Sequence, residues 1–248
     1  MGNEGRLAVV TGGAAGIGQA ISTRLARDGF DIAIADIAPA DETVALVERA
    51  GRSALAIPTD VASVEEVDAF AASVLNRWER CDVLIANAGI YPLIPITETT
   101  PEIWRRVIGI NLDSLFFTTR AFLPGMRAAG WGRIVAIASN TFFIGVPNHA
   151  AYVASKGGMI GFIRSLATEI GNDGVTANAV APNLTRTKGT EEGPHTELGI
   201  FEFARQGQAI QRTQLPEDIV GTVSFVVSDE ASFMTGQTLL IDGGTAHV

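Results

Sequence analysis

Short apolar runs alternate along the chain with longer segments whose apolar positions recur at three- and four-residue spacing. The short runs cover 7–11, 31–36, 53–58, 83–87, 133–139, 175–181 and 238–241. They are nearly continuous in Val, Ile, Leu and Ala, which predicts strands buried on both faces. The longer segments predict helices over 17–27, 40–51, 63–80, 101 to about 129, 152–170 and 216–228. Ser63 with Glu66 three residues on has the form of a capping box. Thr100 followed by Pro101 marks the start of the longest helix. Buried strands separated by helices predict an α/β fold, a doubly wound three-layer sandwich around a seven-stranded parallel sheet. No internal repeat or low-complexity linker divides the chain, so a single domain over 1–248 is expected. One segment breaks the alternation. Residues 183–214 form a long stretch rich in Gly, Thr and Glu, which predicts a lid or substrate loop.

Charge and composition narrow the partners. The chain has 27 Asp and Glu against 18 Lys and Arg, a formal net charge of −9. That balance argues against nucleic acid or an anionic membrane as a partner. Cys81 is the single cysteine, so no internal disulfide can form, and a reducing cytoplasm is the expected compartment. A small buried hydrophobe is the expected role of Cys81. The first six residues carry no apolar run, so no signal peptide is expected. No stretch approaches the roughly 18 consecutive apolar residues of a membrane span. No cluster of His, Cys, Asp or Glu has metal-ligand spacing, so no catalytic metal is expected.

The segment Thr11 to Gly18 carries the pattern G-x-x-x-G-x-G between the first strand and the first helix. Such a turn aims backbone N–H groups and the positive end of a helix at a phosphate. Gly12 permits the tight turn, Gly16 lets backbone approach a pyrophosphate, and Gly18 lets helix and strand pack closely. Asp36 ends the second strand 20 residues after Gly16, where a carboxylate can accept both ribose hydroxyls of an adenosine. The same carboxylate repels a 2′-phosphate, and neither Ala15 nor Ile37 offers a basic side chain to welcome one. NAD is therefore expected rather than NADP. Asp60 and Val61 end the third strand, where they can meet the adenine. Asn87, Ala88 and Gly89 end the fourth, and their small size leaves room for the cofactor. These positions make the expected sandwich Rossmann-like.

Tyr152 and Lys156 stand at i and i+4, on one face of the predicted helix. A free phenol has a pKa near 10, and a neighbouring cation favours its ionised form. Ser139 ends the fifth strand, where its hydroxyl can bond a substrate oxygen. Asn111 sits among Ile110, Leu112 and Leu115, and a buried amide needs partners. It can hold a water that relays protons from Lys156.

In this order, Thr11, Gly12, Gly16, Ile17, Gly18, Asp60, Asn87–Ala88–Gly89, Asn111, Ser139, Tyr152, Lys156 and the segment 236–244 resemble the short-chain dehydrogenase/reductase family of single-domain type. The resemblance covers essentially the whole chain. It implies that Tyr152 is the general acid/base, that Lys156 lowers its pKa and binds the nicotinamide ribose, that Ser139 polarises the carbonyl, and that Asn111 anchors a proton relay. It also implies that Pro182 through Thr187 covers the nicotinamide amide, with Thr185 and Thr187 contributing hydrogen bonds, and that the protein is a homotetramer. Family members usually carry Pro-Gly where this chain has Pro182 and Asn183; Asn tolerates left-handed backbone better than most residues.

The expected substrate wall joins Ser139, Thr141, Phe142, Phe143 and Tyr91 with Phe201 of the lid. His149 can touch a polar group of the substrate or steady its own loop. Ile144, Val146, Leu198, Ile200 and Phe203 add apolar surface, which suits a small-molecule aryl or hydrophobic ketone or its secondary alcohol. Segments 87–95, 124–126 and 130–133 look similar to NAD-dependent 1-phenylethanol-type dehydrogenases of the family. His195 and His247 read as solvated residues. A 3-oxoacyl-carrier-protein reductase has a similar overall pattern, but the acidic chain and Asp173 just past the catalytic helix do not suit docking of an acidic carrier. A catalytically inactive dinucleotide-binding regulatory protein would not need the full set of Asn111, Ser139, Tyr152 and Lys156.

Overall fold

The computed structural model describes residues 5–192 and 199–247. Among them a seven-stranded parallel sheet has the order β3-β2-β1-β4-β5-β6-β7. The strands are β1 (Leu7–Thr11), β2 (Asp31–Asp36), β3 (Ala54–Pro58), β4 (Val83–Ala86), β5 (Gly132–Ile137), β6 (Val175–Pro182) and β7 (Thr238–Ile241). The order reverses between β1 and β4. In an open α/β sheet that reversal opens a crevice at the carboxyl ends of the strands.

Alternation along each strand builds two cores. Leu7, Val9, Leu84, Ile134 and Ala136 face one side. Ala8, Val10, Val83, Ile85 and Val135 face the other. On the first side lie α3 (Val64–Trp78), α5 (Ser114–Ala129) and α7 (Ala150–Ile170), and on the second α1 (Gly16–Arg27), α2 (Asp41–Arg49) and a late helix at Glu217–Val227. Both faces of the central strands β1, β4, β5 and β6 are therefore dry, as their near-continuous apolar runs require, while the edge strands β3 and β7 are half-buried.

Helix starts follow side-chain caps. Ser63 Oγ accepts from the Glu66 N–H at 3.2 Å, and Thr100 Oγ1 from the Ile103 N–H at 3.3 Å. The expected capping box is only half made, because Glu66 Oε2 takes the Asp60 N–H at 2.7 Å instead of reaching back to Ser63. The expected single helix over 101–129 is also corrected. It is α4 (Pro101–Ile108), a π-helical turn at Gly109–Asp113, and α5. Helix α7 begins at Ala150, two residues before the expected start.

The described residues of the segment 183–214 include helical turns. It holds α8 (Lys188–Glu191) and α9 (Ile200–Gln206), which leaves Glu217–Val227 as α10; between β5 and α7 lies the short α6 (Thr141–Ile144). A parallel bridge joins Thr185 to Gln214, so the two roots of the lid are tied. Leu198 and His195 lie outside the described residues. Among the described residues no helix is long and apolar enough to cross a membrane.

Candidate active site

The glycine turn is fastened to the end of β4. Asn87 Nδ2 donates to the carbonyls of Thr11 and Gly12 at 3.0 and 2.9 Å. Thr11 Oγ1 accepts from the Asn87 and Ala88 N–H groups, both at 3.0 Å. Asn87 thus braces the turn as well as leaving room beside it. Gly12 has φ +65°, a backbone state that L side chains rarely adopt. A Cβ on Gly18 would lie 2.0 Å from the Gly12 carbonyl oxygen, so only hydrogen fits. The first turn of α1 has no side-chain cap and no acidic residue, which leaves its N–H groups for an anion.

Asp36 terminates β2 half-buried. Its two oxygens accept from the Ala14 and Ala38 N–H groups, each at 2.9 Å. Each carboxylate oxygen retains a second lone pair. A cavity of about 790 Å³ runs from this carboxylate past the glycine turn to Tyr152. Every residue expected to touch a dinucleotide lines it, from Gly12 and Ala15 through Asp60, Val61 and Gly89 to Pro182, Thr185 and Thr187. Thr187 approaches the turn from the lid, since a Cβ on Gly16 would meet its Cγ2 at 3.2 Å. Glycines that a side chain would displace, free N–H groups and a ribose-facing carboxylate together fit a nicotinamide dinucleotide. The cavity's cationic side chains, Arg106 and Lys156, come from α4 and α7 and not from the glycine turn or the end of β2.

At the other end Ser139, Tyr152 and Lys156 converge. Ser139 is buried, and its Oγ accepts from Thr141 Oγ1 at 3.0 Å. Lys156 is buried too; its Nζ donates to the Ile137 carbonyl at 2.7 Å and lies 5.6 Å from the centroid of the Tyr152 ring. Burial pushes the Tyr152 phenol up to about 12, the Ser139 hydrogen bond acts against that rise, and nearby Tyr91 adds to it. Burial pushes the Lys156 ammonium down to about 8. Among the chain's own groups, then, burial is the leading influence on the phenol.

Asn111 lies fully buried in the π-turn and acts as a clamp. Its Oδ1 accepts from the Ile90 N–H at 2.8 Å, and its Nδ2 donates to the Ile90 carbonyl and to Ser155 Oγ, both at 3.0 Å. It therefore joins the loop after β4 to α7. Asn111 Oδ1 and Lys156 Nζ also lie near each other, at 3.3 and 3.6 Å from the point where a Gly89 Cβ would sit.

The residues of the expected substrate wall divide between the cavity and its surroundings. Ser139, Thr141 and Tyr91 line the cavity, whereas Phe142, Phe143 and Phe201 do not. The cause is helical facing. In α6 Thr141 and Ile144, three apart, face the cavity. Phe142 packs over Gly157, where a Cβ would meet its ring at 2.7 Å, and Phe143 packs on the core. In α9 Ile200, Phe203 and Ala204 line the cavity, while Phe201 turns to Arg186, 5.6 Å away. His149 and Val146 complete the wall.

Asn183 does not take a left-handed backbone; the described non-glycine residues with positive φ are Glu79 and Asn148. Its side chain works instead. Nδ2 donates to Thr245 Oγ1 at 3.0 Å, Oδ1 accepts from the Leu184 N–H at 2.7 Å, and its own N–H donates to Gln214 Oε1 at 2.9 Å. This clasp between the lid roots and the C-terminal tail was not foreseen, because its partners are distant in sequence. Among the described residues no group of three His, Cys, Asp or Glu can hold a metal.

Comparison with known proteins agrees with this arrangement. Residues 12–246 match the family described as enoyl-(acyl carrier protein) reductase. The short-chain dehydrogenase/reductase eriH of Hericium erinaceus is 38% identical over 98% of each chain. The 3-oxoacyl-[acyl-carrier-protein] reductase of Synechocystis is 36% identical over 96% of each. A structure from Sinorhizobium meliloti 1021, assigned as a short-chain alcohol dehydrogenase, superposes with a TM-score of 0.93 at 33% identity, covering 98% of this chain and 96% of that one. With its glycine turn, Ser139, Tyr152 and Lys156 in one cavity, this chain belongs to the short-chain dehydrogenase/reductase family, oxidoreductases that pair a nicotinamide dinucleotide with a small alcohol or ketone.

Proposed function

We propose that the protein is an NAD(H)-dependent oxidoreductase that interconverts a hydrophobic or aryl ketone and its secondary alcohol. The observation that carries this reading is the single cavity that joins Asp36 at one end to Ser139 and Tyr152 at the other, between apolar walls. When bound, the dinucleotide supplies the hydride acceptor or donor. Ser139 donates a hydrogen bond to the substrate oxygen. Tyr152 gives a proton from Oη to that oxygen in reduction and takes it back in oxidation. Lys156 and Asn111, side by side next to Gly89, hold the route by which the phenol is reprotonated.

The Synechocystis relative's name points to a carrier-bound oxo ester. Against that substrate, Arg127 near the end of the catalytic helix is spent on Glu169 and Asp173, at 3.0 and 2.7 Å. The test is NADH oxidation with aryl ketones, β-ketoesters and acyl thioesters supplied in turn. Turnover of aryl ketones above the thioesters is expected. Turnover of 3-oxoacyl thioesters alone would overturn the aryl-ketone reading.

Asp36→Ala tests the cofactor preference. The substitution removes the carboxylate from the ribose and leaves the Ala14 N–H without its acceptor. Charged hydrogen bonds of this kind contribute about 1.5–3 kcal/mol. The NADH over NADPH ratio of kcat/KM is expected to fall at least about tenfold. An unchanged ratio would remove Asp36 from cofactor selection.

A further inference from the structure

His149 stands at the start of α7, three residues before Tyr152, and is 7% exposed. It lines the cavity, and its ring meets the Tyr152 ring nearly edge-on, with centroids 5.6 Å apart. Its Nδ1 lies 3.4 Å from the Pro147 carbonyl oxygen. A carbonyl oxygen can only accept, so this contact assigns the ring proton to Nδ1. In the neutral ring, the form that burial favours here, Nε2 then carries a lone pair. Burial pushes the pKa of His149 below the usual histidine range.

The hydroxyls at this end of the cavity are otherwise matched. Thr141 Oγ1 donates to Ser139 Oγ at 3.0 Å, and the Ser139 and Tyr152 hydroxyls are hydrogen-bonded to each other. Ser139 and Tyr152 serve the reacting oxygen as donors. His149, packed on the Tyr152 ring in the same cavity wall, has an acceptor to offer. A carboxylate next to the reacting carbon would bring a second acceptor against Nε2 and be disfavoured. A hydroxyl there would bring the missing donor.

Building on the ketone-reductase reading, we infer that His149 recognises a hydroxyl on the carbon adjacent to the reacting carbonyl, so that hydroxyketones and their diols are the preferred substrates. The apolar Ile144, Val146 and Phe203 receive the remainder of the molecule. A site built to bond a substrate hydroxyl discriminates against the analogue that lacks it, because its own polar group is then left unpaired.

The experiment compares kcat/KM for 2-hydroxyacetophenone and acetophenone with NADH, in the wild type, His149→Leu and His149→Gln. Taking the ratio of the two ketones within each protein cancels the fraction of active enzyme, and comparing that ratio between proteins cancels the intrinsic reactivity of each ketone. His149→Leu is expected to lower the ratio about tenfold, the value of one neutral hydrogen bond. His149→Gln keeps an acceptor oxygen and should hold the ratio within about threefold of the wild type. Turnover of both ketones with the same ratio in wild type and His149→Leu would overturn the inference and leave the ketone-reductase reading standing. No turnover of either ketone by the wild type would overturn that reading, and the inference with it.

Discussion

Tyr152→Phe is expected to fold normally and bind NADH, yet lose at least about 100-fold in ketone reduction, the lower range for removal of a general acid. Phe keeps the ring that packs edge-on against Tyr91 at 6.4 Å and His149 at 5.6 Å. What disappears is one hydroxyl, with its hydrogen bond to Ser139. Steady-state kinetics with a fluorescence titration of NADH separates the two effects. Near-wild-type turnover would sink the proton-transfer role. The raised phenol pKa also fixes the direction of the wild-type pH profile. A group held at about 12 is protonated at neutral pH, the form reduction needs. Alcohol oxidation needs the phenolate, whose share grows tenfold with each pH unit below that value. Oxidation should therefore rise through alkaline pH while reduction does not.

Gly18→Ala should be the most damaging substitution in the cofactor half. The added methyl would sit 2.0 Å from the Gly12 carbonyl oxygen and 2.6 Å from Asn87 Nδ2. Both atoms belong to the clasp between the glycine turn and β4, so neither can retreat cheaply. Overpacking of this kind costs typically about 1–3 kcal/mol, and a backbone carbonyl as the nearest atom places this case near the top. For a chain of this length about 3 kcal/mol corresponds to a Tm lower by roughly 6–12 °C. NADH affinity should fall at least about tenfold, because the free N–H groups of α1 move with the turn. Thermal unfolding with and without NADH checks both. An unchanged Tm and affinity would contradict the packing argument.

The sheet and the dinucleotide end of the cavity were legible because their signals are local. A strand buried on two faces must be apolar at every position, and a turn that meets a pyrophosphate must be glycine-rich. Tyr152 and Lys156 share a helix, so their spacing alone sets them on one face. What the sequence leaves open has a different origin. Residues 141–144 and 200–206 are too short to show a helical period, yet their helical turns direct Thr141, Ile144, Ile200 and Phe203 to the cavity and leave Phe142 and Phe201 outside its lining. The bond from Glu66 to Asp60 and the clasp of Asn183 on Thr245 depend on chain segments that meet only after folding. The partners of Asn111 likewise sit 21 and 44 residues away.

The π-turn at Gly109–Asp113 sets limits on how this protein can diversify. Such a turn carries one residue more than a regular helical turn. Losing that residue would heal the helix and rotate everything on one side of it by about 100°. Asn111 would swing away from Ile90 and Ser155, and the core face of α5 would turn from the sheet. The lid, closed on itself at Thr185 and Gln214, passes no such rotation to its surroundings. Length changes are therefore tolerable in the lid and forbidden in the fourth crossover, so descendants of this chain can acquire new pockets by rebuilding the lid while Asn111, Ser155 and Ile90 keep their register.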